Sequence, residues 1–268
     1  MAKRAPRLAA GRARVLGLPT RGTTGPNRLR RVDRWIVGTQ AARLRDASRP
    51  LVVDLGYGGS AVTTVELAAR LGDVRTDVEV VGLEIDPARV AAAQELADPP
   101  RLTFARGGFE LAGHRPVLIR AFNVLRQYDE AGAAQAWTTM AGQLAPSGVL
   151  IEGTSDELGR RAAWVAHDAG GPLTLTLAAR VASLERPSDL AERLPKALIH
   201  RNVPGQQVHG FLRAFDAAWA AKVPYAAFGP RQRWAAAVQE LLAQGWPVIG
   251  RSARWRLGEI TVRWDAVG

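Results

Sequence analysis

The amino-acid sequence predicts an α/β protein built on a doubly wound, mostly parallel sheet of seven strands. Short apolar segments alternate with longer amphipathic segments through residues 51–152. This alternation is typical of a parallel sheet that is covered by helices on both faces. The chain has 268 residues, of which 47% are hydrophobic, and this is enough for one such domain with an added subdomain.

The first half of the chain supplies five of the predicted strands. Residues 1–26 contain Pro, Gly and Thr with little apolar periodicity, and we interpret them as a basic, flexible arm. An amphipathic helix is predicted from residue 27 to about 48. The strands are predicted at residues 51–55, 78–84, 101–105, 117–121 and 149–152, and the helices between them at 61–71, 86–96 and 130–144.

The pattern loosens after Thr154. A helix is predicted at 160–169, and residues 173–179 and 259–264 alternate apolar and polar side chains as strands do. Residues 185–250 have the periodicity of helices. We therefore predict three parts beyond the arm: a core at 27–184, a helical cap or substrate subdomain at 185–250 over the carboxyl edge of the sheet, and the final strand of the core within 251–268.

Positive charge is concentrated at the start of the sequence. Of the net charge of +11, ten Lys and Arg residues and one Asp within residues 1–34 contribute +9. Such a segment attracts phosphates, so nucleic acid is a possible partner, and a solvated tail without a ligand is the alternative.

Other features of the composition narrow the function classes. The absence of cysteine excludes disulfides, thiolate metal sites and cysteine nucleophiles. The four histidines show no helical i, i+4 pairing, so no metal site is predicted. There is neither a long apolar run nor a secretory signal, so we expect no membrane span and a cytoplasmic location. The oligomeric state is left open.

The clearest motif is a glycine-rich turn between the first strand and the next helix. It reads Leu51-Val-Val-Asp-Leu-Gly-Tyr-Gly-Gly-Ser60. Glycines let the backbone turn sharply and approach a ligand closely, and the helix N-terminus adds unpaired N–H groups. The glycines alone would also suit a dinucleotide. However, Asp54 precedes Gly56 by two residues, and its carboxylate would repel a pyrophosphate and attract a ligand with an ammonium and a sulfonium group.

With Asp54 in this position, the turn resembles that of the class I, Rossmann-like methyltransferases that depend on S-adenosylmethionine. A second match is Val80-Val-Gly-Leu-Glu-Ile-Asp-Pro87. Here Glu84 ends the second strand, where the family places an acid that accepts hydrogen bonds from both ribose hydroxyls. Asp86 is interpreted as the cap of the following helix.

The third segment departs from the family pattern, and the fourth returns to it. Gly108 stands where an Asp often contacts the adenine amino group. The resemblance then implies that Phe109 flanks the adenine and that Glu110 replaces the missing acid. The segments 117–130 and 144–154 are similar to the fourth strand region of the family, in particular of the chemotaxis-receptor methyltransferases, although Phe122 replaces their Arg before Asn123. Asn123 is expected to border the methyl-donor pocket.

The resemblance covers roughly residues 50–155. It implies that S-adenosylmethionine is the cofactor and that the cofactor-binding residues are Asp54, Gly56, Tyr57, Gly58, Glu84, Ile85, Phe109 and Asn123. The catalytic residues stay open, with Tyr128, Glu152, Asp156, His200 and His209 as possible general bases.

A small-molecule acceptor is the first interpretation. The alternatives are an RNA or protein methyltransferase that uses the basic arm, and a SAM-binding module without catalysis. Asp54 disfavours a nicotinamide enzyme.

Overall fold

The computed structural model describes residues 25–268, so the predicted arm lies outside the described residues except for its last two positions. The strands are β1 (Leu51–Leu55), β2 (Glu79–Glu84), β3 (Leu102–Arg106), β4 (Leu118–Phe122), β5 (Val149–Ser155), β6 (Arg161–Asp168), β7 (Gly171–Ala179), β8 (Val248–Ile249) and β9 (Glu259–Arg263). They form one mixed sheet in the order β3-β2-β1-β4-β5-β6-β7-β9-β8.

The first five strands are parallel and have the strand order of a doubly wound fold. Strands β1, β4 and β5 are buried along their whole length, because helices cover both faces. The helices α1 (Arg30–Asp46) and α2 (Val62–Gly72) pack on one face, and α4 (Glu130–Ala141) packs on the other. The short α3 (Pro87–Ala93) begins after Asp86, which accepts hydrogen bonds from two backbone N–H groups of the first turn. The predicted strands of this half are confirmed.

The rest of the sheet is antiparallel, so the prediction of seven mostly parallel strands is wrong. Residues 161–168 form β6, whereas the sequence predicts a helix at 160–169. The alanines of this segment favour a helix locally. However, the tight turn that precedes the segment reverses the chain, so that it pairs with β5 as a hairpin. In that turn Asp156 accepts hydrogen bonds from the N–H groups of Arg160 and Arg161, and Gly159 has a φ of 64°.

Four further helices lie between β7 and β9: α5 (Lys196–Ile199), α6 (Gln207–Ala221), α7 (Pro230–Ala243) and α8 (Ser252–Trp255). Phe211, Phe215 and Trp234 of α6 and α7 pack with Leu175 and Leu177 of β7 in a second core. These two helices therefore cover an apolar face of the antiparallel half. The role of residues 185–250 as a substrate subdomain stays a prediction.

None of the helices in residues 25–268 combines the length and hydropathy needed to cross a lipid bilayer.

Candidate functional site

The glycine turn after β1 directly contacts the last residue of β2. The Gly58 N–H donates a hydrogen bond of 3.0 Å to Oε2 of Glu84, and the Gly56 N–H donates one of 2.7 Å to the carbonyl of Leu83. Gly56 and Gly58 have φ angles of 72° and 82°, a left-handed conformation that glycine adopts without the steric cost of a Cβ. The two strongest sequence motifs therefore meet at the carboxyl edge of the parallel strands, where ligands bind in open α/β sheets.

Glu84 is held by several donors. Its side chain is 1% exposed, and its Oε1 accepts from the N–H groups of Ile85 at 2.9 Å and Asp86 at 3.4 Å. Nη1 of Arg89 lies 3.5 Å from Oε2, and the Arg89 side chain is partly exposed. A carboxylate offers about four acceptor positions. A ribose would therefore have to displace one of these donors, and the long contact to Arg89 is the one that can move.

Asp54 is buried and points into the protein. Arg120 faces it across the β1–β4 pair and binds it in a bidentate manner, with Nε to Oδ1 at 2.8 Å and Nη2 to Oδ2 at 2.6 Å. The hydroxyl of Thr64 in α2 donates a further hydrogen bond of 2.6 Å to Oδ2. Both Asp54 oxygens are thus satisfied inside the protein, and a ligand would reach them only if one of these bonds opened. The cofactor role of Asp54 stays a prediction.

Arg120 joins Asp54 to a second acid. Its Nη1 hydrogen bonds to Oδ1 of Asp33 in α1, and Arg70 contacts Oδ2 of Asp33 at 2.5 Å. We call Asp33, Asp54 and Arg120 the triad. Burial raises the pKa of Asp33, and Arg120 and Arg70 oppose this shift. Burial also acts to lower the pKa of Arg120, but Asp54 and Asp33 outweigh it and the net shift is upward.

The sequence interpretation missed the partners of Asp54. One signal was present, because an arginine in the middle of an otherwise apolar strand requires a buried counter-charge. Arg120 occupies such a position in β4. Asp33 similarly stands among the apolar residues Val32 and Ile36 of α1.

The loop after β3 holds a buried acceptor. Oε1 of Glu110 accepts from the Gly108 N–H at 2.8 Å, while its Oε2 is buried and has no hydrogen-bond partner within residues 25–268. Phe109 lies beside it and packs edge-on against Tyr128, with the ring centroids 5.4 Å apart. A buried acceptor without a donor is costly. The amino group of a ligand, such as that of adenine, would donate a hydrogen bond to this oxygen.

Asn123 lies at the carboxyl end of β4 with a φ of 60°. Its N–H donates to the Gly153 carbonyl at 2.8 Å, and its Oδ1 accepts from the Ser155 N–H at 3.0 Å. These bonds tie the ends of β4 and β5 together. Tyr57 is buried beside Phe104, and Ile85 lies at the start of the turn into α3.

The possible general bases lie in different surroundings. Asp156 holds the β5–β6 turn, and Nδ1 of His209 lies 3.2 Å from Oδ1 of Asn202. Glu152 is buried and accepts a hydrogen bond of 3.2 Å from Nε1 of Trp137. His200 is exposed. Tyr128 packs edge-on against Phe109 in the loop after β3, and the catalytic residue stays open.

Comparisons with known proteins found similar structures. No protein-family model and no curated protein matches the chain. A magnesium protoporphyrin IX methyltransferase from Synechocystis is 22% identical over 47% of this chain and 53% of its own, with a TM-score of 0.37. The CcbJ methyltransferase from Streptomyces caelestis is 19% identical over 57% of this chain and 66% of its own, also with a TM-score of 0.37.

A putative sarcosine dimethylglycine methyltransferase from Galdieria sulphuraria is 18% identical over 46% of each chain, with a TM-score of 0.34. All three are described as methyltransferases, the class of enzyme that the sequence resembles. The chain spans between half and two thirds of the length of the first two. Identities and TM-scores this low do not transfer an activity to this chain.

Proposed function

We propose that the protein is a methyltransferase that uses S-adenosylmethionine. The main support is the hydrogen bond from Gly58 to Glu84. It brings the glycine turn and a buried carboxylate to one point at the carboxyl edge of a parallel sheet. The same edge holds a second buried carboxylate oxygen, Oε2 of Glu110, which lacks a donor within the described residues. These groups fit the nucleoside part of the cofactor.

Each residue has a distinct task in this proposal. Glu84 would accept the ribose hydroxyls, Oε2 of Glu110 would accept the adenine amino group, and Phe109 would flank the ring. Gly56 and Gly58 would let the backbone approach the ligand closely. S-adenosylmethionine supplies an activated methyl group on a sulfonium, so the protein needs mainly to align an acceptor with it.

We propose a small molecule as the acceptor, and its identity is open. An RNA or protein acceptor and a SAM-binding module without catalysis are the alternatives. Asp54 would contribute directly to binding only if it released Arg120 or Thr64. In the observed arrangement it links β1 to β4 beneath the site.

The first test is a calorimetric titration with S-adenosylhomocysteine. We expect micromolar binding to the wild type. Binding should be at least about tenfold weaker in Glu84→Gln, a loss of about 1.4 kcal/mol. Glu110→Gln should also weaken it, because the amide offers a weaker acceptor than a carboxylate.

Glu95→Gln is the matched control, since Glu95 is an exposed acid just after α3. It should bind as the wild type does. No binding by a folded wild-type protein, or tighter binding of NAD than of S-adenosylhomocysteine, would refute the proposal.

A further inference from the structure

A cavity of about 550 Å³ lies between the start of α1, the β5–β6 turn, the end of β7 and the start of α7. Its volume is in the range of roughly 300–1,000 Å³ that is usual for small-ligand sites. We call it the arginine cavity after the six arginines that line it: Arg30, Arg31, Arg34, Arg160, Arg180 and Arg231. Among the described residues that line it, Glu259 is the single acid.

Within residues 25–268, none of these six arginines forms an ion pair with a carboxylate. The Glu259 carboxylate is already paired with Arg254 at 2.6 Å. Arg31 donates to two carbonyl oxygens, those of Gly159 at 3.1 Å and Leu257 at 3.0 Å, and to no carboxylate in the described chain. The other five side chains have neither an ion pair nor a hydrogen bond within residues 25–268, and all five are exposed. By contrast, Arg70, Arg120 and Arg201 each contact a carboxylate.

The like charges are close enough to affect one another. Burial lowers the pKa of Arg31; Glu259 and Asp156 oppose this shift, while Arg231 and Arg34 add to it. Several guanidinium groups around one cavity repel one another, and a bound anion relieves this repulsion. The planar fork of donors on each guanidinium matches the oxygens of a phosphate, which it binds in a bidentate manner.

We propose that the arginine cavity binds a ligand with two or more phosphate groups. One phosphate carries at most two charges near neutral pH, which is too few to balance six arginines. The segment that precedes the described residues is also positively charged, because residues 1–24 contain six Lys and Arg residues and no acid. The phosphates could belong to a free polyphosphate compound or to the backbone of an RNA strand, and this site is independent of the proposed methyl transfer.

The test compares two triple variants with the same net charge. The cavity variant combines Arg34→Gln, Arg180→Gln and Arg231→Gln. The matched control combines Arg45→Gln, Arg115→Gln and Arg213→Gln, three exposed arginines outside the cavity. Binding of inorganic pyrophosphate and tripolyphosphate is measured by calorimetry. Binding of a short, labelled single-stranded RNA is measured by fluorescence anisotropy at several salt concentrations.

We expect the full-length wild type to bind at least one of these probes, and the cavity variant to bind it at least tenfold more weakly than the control. Binding of the inorganic probes identifies a polyphosphate compound as the source. Binding of RNA alone identifies a nucleic-acid strand, and the slope of log Kd against log salt concentration should then be smaller by about 0.7 for each phosphate that the cavity variant no longer neutralises.

Absence of binding to every probe, or equal weakening in the two variants, would overturn the proposal. The cavity variant is also titrated with S-adenosylhomocysteine, and it should bind this ligand as tightly as the wild type does. This titration distinguishes a failure of the arginine cavity from a failure of the proposed methyl-donor site.

Discussion

Two clusters of buried ionisable groups lie on this sheet, and they accommodate burial in opposite ways. In the triad, Arg120 is fully buried between Asp33 and Asp54 and forms ion pairs with both. In the second cluster, which we call the Trp137 cluster, Trp137 donates a hydrogen bond to Glu152 and packs against His167 at a centroid distance of 4.1 Å. No arginine or lysine pairs with Glu152 in the described chain, and Nε2 of His167 has no partner there.

The difference in partners determines which charges persist. Burial raises the pKa of Glu152 to about 8, and the hydrogen bond from Trp137 opposes this only in part. Burial lowers the pKa of His167 to about 3, with Asp168 opposing it. Near pH 7, therefore, the Trp137 cluster is mainly neutral, while Arg120 of the triad keeps its positive charge. The triad should be sensitive to removal of a partner, and the Trp137 cluster should be sensitive to pH.

The largest effect is expected from breaking the triad with Arg120→Met. This substitution removes the positive charge and leaves two buried carboxylates, so we expect a loss of roughly 3–5 kcal/mol in the free energy of unfolding at pH 7. Urea denaturation followed by circular dichroism measures it.

The control is the triple variant Asp33→Asn, Arg120→Met and Asp54→Asn. It should recover much of the lost stability, because replacing a whole buried ion cluster is often close to neutral. If the triple variant were as unstable as Arg120→Met alone, poorer packing rather than uncompensated charge would be the cause.

A smaller effect is expected at alkaline pH from Glu152→Gln. The folded pKa of about 8 lies above the ordinary value of 4.5, so the folded state holds the proton more tightly and stability falls as the pH rises from about 4.5 through 8. Each pKa unit corresponds to about 1.4 kcal/mol. Allowing for relaxation of the site, we expect Glu152→Gln to be more stable than the wild type by about 2–3 kcal/mol at pH 9.

The advantage of Glu152→Gln should disappear near pH 4, where both states of the wild type are protonated. Urea midpoints at the two pH values measure the difference, and the exposed Glu95→Gln is the control. Equal urea midpoints for Glu152→Gln and the wild type at pH 9 would show that nearby groups already stabilise the charged form of Glu152.

The parallel half of the sheet could be predicted from the sequence alone. The strands of the parallel half could be located because they are short and mainly apolar, and Leu51–Leu55 and Glu79–Glu84 in addition end at a glycine turn and a capping acid. The contact between Gly58 and Glu84 follows from the parallel pairing of these two strands.

Other features depend on contacts between distant residues. The strand β6 carries an alanine-rich sequence that favours a helix, and only its pairing with β5 and β7 makes it a strand. The pairing of Arg120 with Asp54 depends on the register of β1 and β4, which a single sequence does not reveal. The arginine cavity likewise combines residues from five separate parts of the chain.

The smallest effect is expected at acidic pH from His167→Phe, which keeps an aromatic ring against Trp137. The folded pKa of about 3 lies below the ordinary value of 6.5. The neutral imidazole therefore contributes stability that is fully present above about pH 6.5 and is lost as the pH falls toward 3. Because phenylalanine does not titrate, we expect the variant to lose about 1 kcal/mol less than the wild type between pH 7 and pH 5.

The measurement is again the urea midpoint, now at pH 7 and pH 5, with His200→Phe as the control because His200 is exposed. A wild type whose stability falls no faster than that of His167→Phe would mean that His167 becomes charged at little cost. Asp168, whose charge already opposes the downward shift, would then compensate it, and Asp168→Asn should restore the acid sensitivity. That result would add an ion pair to the Trp137 cluster, and the contrast with the triad would no longer hold.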